Sequence, residues 1–302
     1  MTIRRWISGG FLCFALLSSC GRQPKQVSAP PEYFDSIRAW QKHRDTGLRS
    51  QDGWLTLVGL FWLKPGDNSI GSADSNDFVL PKTAPAHVGH LRLEDKRVMF
   101  TNLAGQAVTI DNKPVTAPVS LSYSDENPSV VRAGTVSFYV IQRVDRLGLR
   151  AKDSANPELK NFSGMQYYDI DPELHFPNAK LIPDPKKIPI LDIVGLTEME
   201  DSPGLVEFVY RGQTYHLRPI YEGKTLFFLF KDPTNRTTTY QAGRMLNTPL
   251  PVDGRVDLDF NRSYTPPCTF TPYATCPLPP KENYLQFPIE AGEKRYANGH
   301  ET

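Results

Sequence analysis

Two cysteines at Cys-x7-Cys spacing, Cys268 and Cys276, lie in the stretch of this chain richest in candidate chemistry. Prolines bracket both, at Pro266, Pro267, Pro272, Pro277, Pro279 and Pro280. Each fixes φ, so the segment reads as a constrained loop that presents side chains. Three chemistries are open to the pair, besides two buried unpaired thiols. A disulfide fits an exported chain in an oxidising compartment, and the two cysteines pair without remainder. A metal site needs further ligands, and no Cys-x2-Cys or His-x3-His accompanies the pair. A nucleophilic cysteine needs a base within reach, and the six histidines show no diagnostic spacing.

Around this run stand Asp259, Asn261, Arg262, Tyr264 and Glu293, joined by Arg244, Tyr240 and Asp232. Arginine and asparagine supply donors for an anionic or amide-bearing ligand, and tyrosine supplies a stacking face. Arg244, Tyr240, Asp259, Asn261, Arg262, Tyr264 and Glu293 are therefore the candidate ligand-binding residues. The same types also make a buried ion-pair network that locks a proline-rich loop. His87 and His90 do not form a metal pair in a strand, because i and i+3 point to opposite faces. The chain carries no Gly-x-Ser-x-Gly, Walker loop, His-Glu-x-x-His or dinucleotide fingerprint. The sequence assigns no catalytic residue, metal or cofactor.

The amino terminus gives an address. Arg4 and Arg5 precede a short apolar run from Trp6 to Leu17, then Leu17-Ser18-Ser19-Cys20. The run is shorter than the roughly 20 residues a membrane span needs and reads as a secretory core. Small residues before Cys20 resemble the lipobox of bacterial lipoproteins. That resemblance implies cleavage of residues 1–19, a lipid on Cys20 and export to the cell envelope. By resemblance to Gram-negative sorting rules, Gly21 in place of aspartate favours the outer membrane, with the inner membrane or a Gram-positive surface as alternatives. Residues 20–31, polar and proline-containing, read as a tether.

Composition narrows the class. Lys and Arg number 34 against 33 Asp and Glu, for a net charge of +1. That balance, without a run of one sign, argues against a nucleic-acid partner. The 27 prolines and 21 glycines are spread through the chain and punctuate short segments, which favours strands over long helices. The expected fold is mainly all-β: a β-sandwich-like N-terminal half over 32–180, packed on a second β-rich half over 181–302. One amphipathic helix is expected at 32–45, from the spacing of Tyr33, Phe34, Ile37, Trp40 and Leu48, with Gly47 as its stop. Val136–Val144 and Leu149–Asp153 read as a hairpin. Residues 177–189 read as an extended linking segment. Leu205–Tyr210, Gln213–Ile220 and Thr225–Lys231 read as a meander turned by Arg211-Gly212 and Glu222-Gly223-Lys224.

Two family resemblances add to this reading. The order Gly66, Ile70-Gly71, Asn76-Asp77, His87 or His90, then Asp111-Asn112 loosely resembles a forkhead-associated domain. Ser72 stands where that family places its phosphate-gripping arginine, so the resemblance implies the fold and not phosphopeptide binding. The mature chain also resembles the Domain of Unknown Function 1684 family. The resemblance is carried by Asp52–Leu63, Arg143, Asp145, Gly148–Arg150, Asp153, Phe162–Gly164, Asp232–Thr234, Thr239–Arg244, the cysteine run, Asn283 and Ala291–Glu293. That family implies a coherent domain and no activity. The functional expectation is a lipid-anchored envelope protein with a small-molecule or protein ligand near the cysteine run. An uncharacterised enzyme, possibly hydrolytic, using Asp, Arg and Tyr of 232–293, and an envelope scaffold are the alternatives.

Overall fold

A long helix opens the described part of the chain, and its buried stripe explains its length. The computed structural model describes residues 28–124 and 127–299; the expected export signal at 1–19 and the expected lipidation site Cys20 lie outside them. Helix α1 (Pro31–Leu48) starts with proline in its first turn and Pro30 extended at the N-cap, where the missing N–H costs nothing. Tyr33, Ile37, Trp40, Arg44 and Leu48 recur at helical spacing. The helix runs past the expected end at 45 because Leu48, 1% exposed, packs in a cluster with Leu55, Phe162 and Phe270. Tertiary burial thus holds the last turn through Gly47.

The N-terminal half is a sandwich of two sheets. The strands are β1 (Leu57–Trp62), β2 (Gly66–Gly71), β3 (Phe78–Val79), β4 (Gly89–Glu94), β5 (Arg97–Asn102), β6 (Val108–Ile110), β7 (Lys113–Pro114), β8 (Val119–Ser120), β9 (Val131–Ala133), β10 (Val136–Arg143) and β11 (Arg146–Asp153). They order as β1-β11-β10-β9-β6-β7 in one sheet and β3-β2-β4-β5-β8 in the other. Alternate residues such as Ile70, Leu91, Phe100, Val131, Phe138 and Leu149 fill one apolar core, the period-two pattern of a half-buried sheet. Asp95-Lys96 and Asp111-Asn112 adopt positive φ at both positions and close two-residue hairpins β4–β5 and β6–β7, the type I′ geometry that matches strand twist. Ser72 is buried and donates to the Ala84 carbonyl at 2.7 Å, so its hydroxyl serves the sandwich itself. His87 meets Asn76 Oδ1 at 3.2 Å, while His90 lies on β4.

The expected linking segment at 177–189 is instead part of a strand, β12 (His175–Leu191). It pairs with β13 (Thr197–Tyr210), and its first residues pair with β18 (Arg255–Asp259). The prolines are accommodated because Lys186–Ile190 pairs on one side only and Pro183 sits at a break in register. Gly204 faces that break at φ +147°, where a Cβ would lie 2.1 Å from the Ile182 carbonyl oxygen. The division expected at 180/181 falls inside β12. The first sandwich ends at β11, and helix α2 (Glu158–Asn161) lies in the connection to β12. With β14 (Gln213–Leu217) the second half forms a sheet ordered β14-β13-β12-β18. β15 (Ile220–Glu222), β16 (Thr225–Phe230) and β17 (Arg244–Pro249) form another. Val206, Leu226, Phe228, Leu258 and Phe260 build the core of this half.

A third apolar cluster joins the halves. Leu57 of β1 packs with Ile188 and Ile190 of β12, Leu229, Met245 and both cysteines of the loop. The Thr271 hydroxyl donates to the Leu57 carbonyl at 2.9 Å, and Ile193 N–H donates to the Cys276 carbonyl at 3.0 Å.

The β10–β11 turn contains one strained residue. Val144 sits at φ 54°, a region that a β-branched residue enters at a cost of about 1–3 kcal/mol. Its N–H is held by Glu198 Oε1 at 3.1 Å and its side chain is exposed. Val144→Asn should raise the unfolding midpoint in urea, because asparagine tolerates this conformation; a lowered midpoint would refute that account of the turn.

Candidate functional site at the disulfide loop

The cysteines form a disulfide, Cys268–Cys276, with Cα atoms 6.2 Å apart. Both are buried, and closing so short a loop is worth on the order of 2–3 kcal/mol by chain entropy. No cluster of metal-ligating side chains occurs among the described residues. The loop begins with a turn of 3-10 helix at Pro267–Thr269, and its exit is tied by Leu278 N–H to the Leu191 carbonyl at 2.8 Å.

The expected binding residues divide into three places. Arg244 and Asp232 form an ion pair at 2.8 Å with both side chains fully buried. The terminal nitrogens of Arg244 also reach the carbonyls of Ile289 and Ala291, its buried Nε has no hydrogen-bond partner, and its guanidinium lies 5.2 Å from the Phe230 ring centre. The other oxygen of Asp232 accepts from Thr234 and Ile289 N–H. Asp232 and Asn235 make a reciprocal capping box on the 3-10 turn Pro233–Arg236. Tyr240, 1% exposed, accepts Asn235 Nδ2 on its carbonyl at 2.6 Å. This cluster is sealed.

Glu293 is equally buried and equally occupied. One oxygen accepts from Arg44 Nε at 2.8 Å and the other from Thr265 N–H at 2.7 Å. Gly292 before it sits at φ +74°, where a Cβ would fall 2.5 Å from the Ser263 carbonyl oxygen, so only glycine lets the glutamate turn inward. Asp259 and Asn261 tie the start of α1 to the second half. The Tyr33 hydroxyl donates to Asp259 Oδ1 at 3.1 Å and accepts from Asn261 Nδ2 at 2.9 Å. Asn261 also exchanges two hydrogen bonds of 2.8 Å with the Asp171 backbone. Burial first, then the Asp259 charge, pushes the Tyr33 phenol far up.

Arg262 and Tyr264 instead face open space. With Cys276 they line a cleft of about 630 Å³ under the disulfide loop. Its other walls come from α1 through Trp40, His43 and Arg44, and from the N-terminal half through Trp54, Arg143 and Arg150. Tyr264 donates to Asn247 Oδ1 at 2.6 Å, and Asn247 donates to Glu222 Oε2 at 2.6 Å. Burial, ahead of the Glu222 charge, pushes the Tyr264 phenol far above its ordinary value. Arg44 lies 4.9 Å from the Tyr264 ring centre. A larger trough of about 870 Å³ runs past Tyr123, Val144 and Glu200, and none of its lining residues is buried.

The binding-residue reasoning passed over Arg143, Arg150, Trp54 and Thr275. Arg143 and Arg150 stood in the sequence as family-pattern residues without a role. Arg150 carried a readable signal of its own: it is a charge inside the continuous apolar run Leu147-Gly148-Leu149-Arg150-Ala151, and such residues are rarely buried without purpose.

Residues 160–294 match the model of the family described as "Protein of unknown function (DUF1684)", in line with the resemblance in the sequence. The pieces at Asp52–Leu63 and Arg143–Asp153 precede the matched span. No curated protein matches the chain. Among solved structures, an uncharacterized protein of Haloarcula marismortui, determined by solution NMR, is 28% identical over 45% of this chain and 79% of its own, with a TM-score of 0.37. The forkhead-associated domain of FhaA, solved in complex with the intracellular domain of Rv3910, is 19% identical over 31% of this chain and 97% of its own, with a TM-score of 0.22. Another forkhead-associated domain, from work on phosphothreonine-dependent interactions, is 20% identical over 32% and 96%, at 0.23.

Two expectations follow from these contacts. Arg244→Ala leaves Asp232 charged, buried and unpaired, so it should cost about 3–5 kcal/mol; urea denaturation checks this, and a loss below 1 kcal/mol would contradict the buried pair. The second concerns His175, stacked on Tyr33 at 4.9 Å and 2.6 Å from Asp257 Oδ1. Burial lowers the imidazole's pKa, but the Asp257 hydrogen bond and the Asp259 and Asp257 charges outweigh it, and the net shift is upward. The same bond holds the Asp257 carboxyl below its usual range. The His175 contribution is full below its unfolded value of about 6.5 and fades as pH rises through the folded one. The Asp257 contribution is full above its unfolded value of about 3.9 and fades as pH falls through the folded one. The pair therefore stabilises most between about pH 4 and 6.5. His175→Gln should flatten the decline in unfolding midpoint from pH 6 to 8; an unchanged slope would dismiss the pair as its source.

Proposed function

We propose that this chain is an exported, lipid-anchored envelope protein that binds a small molecule in the cleft beside the Cys268–Cys276 disulfide. The observation that carries the binding reading is the cleft itself. Side chains of α1, the N-terminal half and the C-terminal loop converge on about 630 Å³ of space, a volume in the range of ligand pockets. Its lining combines the aromatic rings of Trp40, Trp54, Phe227 and Tyr264 with guanidinium groups, as in sites that hold an apolar body and orient a polar head. The acidic residues a hydrolytic enzyme would draw from 232–293 are occupied elsewhere. Asp232, Asp259 and Glu293 are not among the residues lining the cleft, and each is already occupied by hydrogen bonds or ion pairs. A scaffold without a ligand gives no reason for the cleft.

The address rests on the sequence alone. Cys20 after Leu17-Ser18-Ser19 supports acylation, and Gly21 supports the outer membrane with the domain on its periplasmic face. No helix among the described residues is long and apolar enough to cross a membrane, and a lipid supplies an anchor that needs none. The near-neutral charge supports a small-molecule or protein ligand over nucleic acid.

Two measurements test the reading. Cys20→Ala should move the protein from the membrane to the soluble envelope fraction; a variant still membrane-bound and processed would end the lipid-anchor reading. Native mass spectrometry after incubation with a mixed metabolite extract should show an adduct that Trp54→Ala weakens at unchanged fold. Absence of any adduct across extracts would end the ligand reading.

A further inference from the structure

On the reading that the cleft binds a ligand, we infer that its inner wall is an oxyanion seat. The Arg150 and Arg143 guanidiniums and the Thr275 hydroxyl form it, and it takes a small organic carboxylate or phosphate with a flat apolar body. Arg150 is 6% exposed, lines the cleft, and its Nε has no hydrogen-bond partner. Its Nη2 reaches Thr275 Oγ1 only at 3.4 Å, the far limit of a hydrogen bond. Arg143 Nε donates to that same oxygen at 3.1 Å. Two cations thus share one neutral acceptor, and among the described residues neither makes an ion-pair contact with a carboxylate. Like charges held together on a partly buried wall repel, and a bound oxyanion removes that cost.

The other arginines of the cleft are already committed. Arg44 serves Glu293 and the Thr265 carbonyl, and Arg262 faces Asp259 at 3.5 Å and donates to Ser36. Arg143 Nη1 also donates to the Gln142 carbonyl at 2.7 Å, so the arginine donors left for a ligand are those of Arg150 and the second Nη of Arg143. Trp54 lies 5.3 Å from the Arg150 guanidinium carbon. A cation at that distance from an indole ring is held by it without using its N–H groups, which stay available to a carboxylate or phosphate. Phe227 and Met245 add apolar surface to the same cleft. Glu222, the single carboxylate lining it, repels a second anionic group, so the ligand carries one anionic head. The disulfide positions the seat, because Thr275 directly precedes Cys276.

The test titrates the full-length chain in detergent, by calorimetry at low salt, with phenyl phosphate, benzoate, phenol and dihexanoyl phosphatidic acid. One of the anions should bind at least tenfold more tightly than phenol. Arg143→Gln, at a part-exposed position that should spare the fold, should weaken that binding tenfold or more, and Arg150→Gln should abolish it. Preference for phenyl phosphate or benzoate assigns the seat to a free anion; binding of phosphatidic acid alone assigns it to a lipid headgroup. Equal binding of phenol, or an unchanged Kd in both arginine variants with native circular dichroism, overturns the seat. Failure of all three anions, beside a neutral ligand whose binding depends on Trp54, overturns the seat and spares the cleft. No Trp54-dependent ligand of any kind removes both.

Discussion

A fully buried ion pair, Arg244 with Asp232 at 2.8 Å, constrains everything built around the loop. A charge pair removed from water is costly unless most of its other donors and acceptors are satisfied. Arg244 draws in the carbonyls of Ile289 and Ala291 at its terminal nitrogens, with Nε left unpartnered, and Asp232 accepts from Thr234 and Ile289. Those bonds fix the C-terminal segment against β17. Gly292 then turns the chain so that Glu293 points back to Arg44 of α1. The N-terminal helix is thereby docked by charge on the far end of the sequence, and one wall of the cleft is set by it.

The disulfide loop is the second constraint, and it acts as a wedge. Its cysteines pack among residues of β1, β12, β16 and β17, Phe270 packs with α1 and Phe162, and Thr271 holds the Leu57 carbonyl. A loop with this many partners cannot move without opening the contact between the halves. The cleft lies where the wedge, the helix and the edge of the sandwich fail to fill space. Its electrostatics follow from the count of partners: Arg44 and Arg262 have carboxylates, Arg143 and Arg150 have Thr275.

The N-terminal sandwich rests on local pattern: the strands that build its two sheets need only alternation and tight turns, and the Ser72 hydroxyl turns inward to the Ala84 carbonyl. What the sandwich contributes to the candidate site is the β10–β11 hairpin, which delivers Arg143 from its tip and Arg150 from its interior strand.

Local features of the chain were legible as sequence. The helix start, the alternating strands, the hairpin at β10–β11 and the Asp-Lys and Arg-Gly turns all rest on neighbours within a few residues. Spacing and turn chemistry report such contacts. The proline-rich stretch at 177–189 was misread because propensity penalises proline in strands, and only tertiary pairing reveals a one-sided edge and a break opposite Gly204. The polar residues near the cysteine run were recognised as a group, but their division was not. Whether Arg244 seals a core or Arg262 faces a cleft depends on segments more than forty residues away. Arg150 and Thr275 lie 125 positions apart, and nothing in the intervening sequence announces their meeting. The sequence by itself determined the β-rich class and singled out Cys268 and Cys276 as a pair, with a disulfide, a metal site and a nucleophile all open to them. Only the tertiary structure decided which charges were neutralised and which were left facing space, because that depends on burial and on partners distant in the chain.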